Sequence, residues 1–209
     1  MPRTPLAVLL LLTACSSAGP AGPDASPGGT TSAPTPSATT SADPARSPRF
    51  DQALHDELVA MAERDQSGRT GGADPEGDAA RTARLAELLT EHGWPTYDLV
   101  GEDGEDAAWV IAQHSDQDPA LQRRALELLR PAVEARQASP GNLAYLEDRV
   151  AVGAGPPQRY GTQVGYGPDG ALPATPLADD AAVDALRADA GLEPLAVYLA
   201  QMAEVCAAD

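Results

Sequence analysis

The stretch from Ser16 to Pro48 most constrains what this chain can fold into, because it holds no large apolar residue. Its 33 positions are Ser, Thr, Ala, Pro and Gly, interrupted only by Asp24, Asp43 and Arg46. Ordering each residue costs about 1–2 kcal/mol of backbone entropy, and side chains of this kind offer little burial to offset it. Residues 15–48 are therefore predicted to form a disordered tether, and a folded domain is expected in residues 49–209. As a flexible coil the tether would span roughly 30 Å on average, more where Pro stiffens it. A Ser/Thr/Pro segment carrying O-linked sugars fits the same composition and is also a spacer.

Residues 1–14 have the layout of an export signal: Arg3, an apolar run from Leu6 to Leu12, then Leu12-Thr13-Ala14-Cys15. The run is far below the roughly 20 residues that span a bilayer. Small residues ahead of Cys15 suit a signal-peptidase cleft, and the pattern resembles the lipobox of bacterial lipoproteins. That resemblance implies lipidation of Cys15, with its sulfur in a thioether to diacylglycerol. The expected location is the cell membrane, lipid-anchored on the extracytoplasmic side. A lipidated Cys15 has no thiol for a disulfide. Cys206 shares a helical spacing with Leu195, Leu199 and Met202, so it is expected to be an inert core residue.

A net charge of −17 argues against nucleic-acid partners, since phosphates would be repelled. It also repels an anionic membrane surface, so any membrane attachment must come from something other than a basic patch. Every basic residue apart from His is Arg, which excludes Schiff-base lysine chemistry and a P-loop.

From Phe50 onward apolar residues recur at helical spacing. Phe50, Leu54, Leu58 and Met61 predict a first helix ending near Asp65. Asp78 is expected to cap a second through Leu85, Leu88 and Leu89, stopped by Gly93. A third is expected from about Glu105 to Ser115, with Glu102-Asp103-Gly104-Glu105-Asp106 as its solvated start. Asp118-Pro119 opens a fourth, bent or ended near Pro131, and Leu143, Leu146 and Val150 mark a fifth. Tyr160–Tyr166 and Ala171–Thr175, joined through Gly167-Pro168-Asp169-Gly170, predict a small hairpin. A helix capped by Asp179 and a last one from Pro194 complete a mainly α domain of about six to seven helices.

Common catalytic signatures such as HExxH, GxSxG, SxxK and CxxC are absent, and His55, His92 and His114 lack short metal-ligand spacing. No metal or cofactor is called for. Two polar segments stand out: Gln113-His114-Ser115, and Asp148-Arg149 with Gln158-Arg159-Tyr160-Gly161-Thr162-Gln163. The second offers amides, a phenol and a hydroxyl around a glycine that permits close backbone approach. Such groups line a ligand pocket or, equally, satisfy the backbone of a hairpin.

These segments occur in order with Asp65-Gln66 and Arg69, Gly93-Trp94-Pro95, Leu143-Ala144-Tyr145-Leu146, Val183-Asp184, Arg187 and Gly191-Leu192. Together, over about residues 50–200, they resemble the family of unknown function DUF6624, with Gln158-x-Tyr160-Gly161-Thr162-Gln163 the most specific part. The resemblance names no reaction, but it favours the polar segments forming one site. Two functions fit. One is an envelope lipoprotein that binds a ligand or protein partner. The other is an envelope hydrolase or transferase with His114 as general acid/base, oriented by Asp148 or Asp65. There Arg149 or Arg69 would hold an anionic group, and Gln158, Tyr160 and Gln163 would position substrate.

Overall fold

The computed structural model describes residues 49–167 and 170–207, all within the unit Ser47–Asp209. Residues 1–48, on which the expected signal peptide, lipidated Cys15 and tether fall, lie outside the described residues, as do Pro168-Asp169 and the side chain of Cys206. The described residues form seven α-helices and one antiparallel hairpin, a mainly α fold.

Helix α1 (Gln52–Arg69) buries Leu54, Leu58 and Met61, and Asp51 caps it by accepting from Ala53 and Leu54 N–H. It runs past Asp65 to Arg69 because Asp65 is itself buried and held by the next turn. Helix α2 (Gly77–His92) presents Leu85, Leu88 and Leu89 inward and ends at Gly93, whose φ of 71° suits glycine. Asp78 does not cap α2. It lies in the first turn, and its carboxylate is taken by Arg69 and Arg81.

Helix α3 (Tyr97–His114) starts eight residues before the expected position. The backbone breaks at Gly101 (φ 79°, ψ 174°), so a short first segment joins the main helix through a left-handed residue. A side chain at Gly101 would also meet the Asp103 carboxylate at 2.9 Å. The acidic run is not a solvated start, since Glu105 is completely buried. Beyond it Ala107, Ala108, Trp109, Ile111 and Ala112 are buried on several faces, as expected of a helix surrounded by others. Helices α1, α2, α4 and α5 all pack against α3. Each fully buried leucine around it, such as Leu58, Leu85 or Leu146, contributes about 1.5–3 kcal/mol.

Asp118 caps α4 (Pro119–Glu134) with Pro119 in the first turn. The helix runs through Pro131, which lacks the N–H that would bond the Glu127 carbonyl, and ends three residues later at Glu134. Helix α5 (Pro140–Ala154), capped by Ser139, packs along α4. The hairpin is shorter than expected: β1 (Val164–Gly167) pairs with β2 (Gly170–Pro173) in the register Val164↔Pro173. Tyr160–Gln163 is instead a loop whose amides are claimed by a side chain. Asp179 accepts from Ala181 and Ala182 N–H, capping the turn ahead of α6 (Val183–Asp189) rather than the helix itself. Helix α7 (Leu195–Ala207) packs on the hairpin and α6. Among the described residues no helix is long and apolar enough to cross a membrane.

Candidate functional site

His114 closes α3, and α1 brings Asp65 against it, with 2.7 Å between His114 Nδ1 and Asp65 Oδ2. Arg69, one turn beyond Asp65, donates from Nε to Oδ2 and from a terminal nitrogen to Oδ1, both at 3.0 Å. Arg69 Nε also lies 3.0 Å from His114 Nδ1. A ring nitrogen this close to a carboxylate oxygen must carry the proton, since two lone pairs would repel. Nδ1–H therefore donates to Asp65, and the Arg69 Nε–H belongs to Asp65 as well. This holds for the neutral ring and for the imidazolium alike. His114 Nε2 makes no hydrogen bond with the described residues, and the side chain is 9% exposed.

Behind this pair lies a second cation. Arg81 is buried, with its Nε 3.7 Å from Asp65 Oδ1, and it donates to both oxygens of Asp74 and to Asp78. Burial opposes ionisation of Asp65, but the hydrogen bonds from His114 and Arg69 outweigh it and hold the carboxyl well below the usual range. The loop between α1 and α2 is pinned by the same network, since Asp74 also accepts from Gly77 N–H.

The second polar segment assembles around α5. Asp148, fully buried, accepts from the backbone N–H groups of Arg159, Tyr160 and Thr162 and from the Thr162 hydroxyl. Gln158 ties the same loop to itself, donating to Gln163 O at 3.0 Å and accepting from Gln163 N–H at 2.8 Å. Arg187 donates to Tyr160 O, and the Tyr198 hydroxyl donates to Thr162 O. Asp148, Gln158 and Thr162 thus spend their polar atoms on the loop itself. Gln163 turns the other way. Its Oε1 accepts from Gln113 at 3.3 Å and from Arg149 at 3.1 Å, while its Nε2 donates to Tyr145 O. Arg149 directs its remaining donors to Asp116 at 2.9 and 2.5 Å.

The sequence-derived residues therefore fall into two groups. Asp65, Arg69 and His114 meet between α1 and α3, and Asp148, Arg149, Gln158, Tyr160, Thr162 and Gln163 meet beside α5. Gln113 connects to the second group, whereas His114, next in sequence, bonds only to the first. Of the two orienting residues considered for His114, Asp65 bonds the ring and Asp148 does not. Gln113 Oε1 and Trp109 Nε1, one turn apart on α3 and buried, have no hydrogen-bond partner among the described residues.

Sequence reasoning missed Arg81, which periodicity places among surface charges, and Gln122, whose amide bonds the Ala112 and Gln113 carbonyls and Asp116. It also missed Glu105, which accepts from the Trp94 indole at 3.1 Å and the Asn142 amide at 2.9 Å. Burial, reinforced by the neighbouring Asp106 charge, pushes Glu105 up to about 8 against the pull of those two donors. The one available signal was Trp94 and Asn142 themselves, polar-tipped groups that need partners once buried. Among the described residues no three His, Cys, Asp or Glu side chains converge as a metal ion would require.

No curated protein and no solved structure matches this chain. Residues 52–207, most of the chain and all seven helices, match the family of unknown function DUF6624. The chain belongs to that family.

Proposed function

We propose that this chain is a lipoprotein of the cell envelope, anchored through Cys15 on the extracytoplasmic side, whose helical domain binds a ligand or protein partner at the end of α3. The observation that carries the site is the fixed orientation of His114, with Nδ1 committed to Asp65 and Nε2 making no bond with the described residues. A ring held in one tautomer and orientation presents one defined acceptor or donor, which is what selective recognition needs. The anchor rests on the lipobox pattern at Leu12–Cys15, and the tether after it keeps the domain near the membrane at high local concentration.

Two experiments test this reading. Cys15→Ser should abolish palmitate labelling and release the chain from membranes, and persistent labelling rejects the anchor. A ligand and substrate screen on the full chain, repeated with His114→Ala, tests the site, and hits that the variant retains reject it.

A second reading, an envelope hydrolase or transferase, is supported by the same Asp65–His114 pair. The carboxylate on Nδ1 orients the ring so that Nε2 is the nitrogen that would take a proton from water or a hydroxyl. Diethyl pyrocarbonate reports the nucleophilicity of Nε2 without a substrate. Fast acylation of His114, slowed when Asp65 becomes Asn, supports this reading, and an inert ring counts against it.

A further inference from the structure

On the far side of Gln113 the α3–α4 turn and the end of α5 enclose a cleft of about 360 Å³. Its walls include Asp116, Gln122 and Arg123 on one side and Arg149, Val150 and Val152 on the other. Arg149 is anchored from behind by Gln163, so its Nε and one terminal nitrogen face forward as a fork. Gln122, itself buried, adds an amide N–H 3.2 Å from the same carboxylate oxygen that Arg149 Nε meets. These three donors form a cradle shaped for a carboxylate. Asp116 fills it, yet Asp116 sits on a surface turn with its side chain 49% exposed. Arg123, exposed on the same wall, makes no ion pair or hydrogen bond with the described residues.

Asp116 is bound bidentately but half exposed, so an external carboxylate reaches the same donors from solvent. The donors behind it are less free to move, since Gln122 also holds two carbonyls at the end of α3 and Arg149 is tied to Gln163. A fixed cradle with a solvent-reached occupant, opening on a cleft with half-buried valines, is the arrangement of a ligand site with its own competitor attached.

We propose that this cleft binds a small organic acid, its carboxylate displacing Asp116 from Arg149 and Gln122 and its short apolar body lying against Val150 and Val152. Asp116 then acts as a tethered competitor that sets the affinity. The apparent dissociation constant rises by the fraction of time that Asp116 vacates the cradle. This goes beyond the His114 reading, since it is a second site carried by Arg149 and Asp116.

The test is an NMR titration of the full chain with acetate and with butyrate, following the side-chain N–H signals of Arg149 and Gln122, with chloride at equal ionic strength as control. Asp116→Ala should bind acetate at least about ten-fold tighter than the parent, since the competitor is gone. Adding Arg149→Gln to that variant should abolish the binding, and butyrate should bind tighter than acetate. Asp116→Asn, which keeps the side-chain shape but not the charge, should gain about three-fold or more and serves if the alanine variant does not fold. Equal affinity in parent and Asp116 variants, or binding that survives Arg149→Gln, overturns the carboxylate cradle. Butyrate no tighter than acetate overturns the placement of the ligand body in the cleft. Neither arm touches His114, so a negative result here leaves the Nε2 reading to its own screen.

Discussion

Two carboxyl groups are buried against α3, and they have opposite fates. Asp65, 1% exposed, faces His114, Arg69 and Arg81 and is held ionised. Glu105, 0% exposed, faces an indole N–H, a neutral amide and the like charge of Asp106, and it is pushed up to about 8. Burial is the same in both places, so depth does not set the charge state. What separates the two is that Asp65 meets cations, whereas Glu105 meets two neutral donors and the like charge of Asp106. The charged end of α3 is where a histidine is oriented. The neutral end behaves as part of the core.

The strongest challenge to this contrast is Asp65→Ala. It should cost about 3–5 kcal/mol in chemical denaturation, the range for removing one partner of a buried ion pair. A loss below about 1 kcal/mol would mean that Asp74 and Asp78 suffice for both arginines. Asp148 sharpens the comparison as a third buried carboxyl, met by backbone N–H groups instead of side-chain cations. Asp148→Ala leaves those donors without their acceptor and should cost about 2–4 kcal/mol, with the damage confined to residues 158–163 in an NMR spectrum.

The two carboxyls around α3 also predict opposite pH slopes. Asp65 is depressed in the folded state, so its contribution is present above the ordinary value of 3.8 and is lost as pH falls through that region and below. Glu105 is raised, so the folded state holds a proton that the unfolded chain releases. Its contribution is complete below 4.5 and is lost as pH climbs from there to about 8. Glu105→Gln should flatten the stability curve between pH 5 and 8 and change stability at pH 5 by no more than about 1 kcal/mol. An unchanged slope would place the titration elsewhere. The smallest effect is expected from His114→Ala, about 1 kcal/mol, because both arginines still neutralise Asp65.

Much of the fold was legible because the informative residues act locally. Asp118-Pro119 opens α4, Gly93 stops α2, and Leu54, Leu58 and Met61 mark one face of α1. The start of α3 was not legible, since its acidic run looks solvated until Trp94 and Asn142 are known to lie against it. The candidate site was half legible. His114 stood out as polar, and Asp65 and Arg69 entered with the family resemblance, but Arg81 did not, because an arginine at a helical spacing reads as surface. The loop Gln158–Gln163 was visible as unusual, yet nothing local reveals that Asp148 binds its amides from the preceding helix.

That clasp has a consequence for the order in which the molecule assembles. Asp148 closes loops of 11 to 14 residues, short enough to form with α5 itself. The Asp65–His114 contact spans 49 residues, and Gln113–Gln163 spans 50. Contacts of that range must wait for helices to dock, and they carry the larger closure entropy. The histidine pair therefore waits for α1 to dock on α3, whereas the Asp148 clasp needs only α5 and the loop that follows it, so an oriented His114 reports the docking of the first helix on the third.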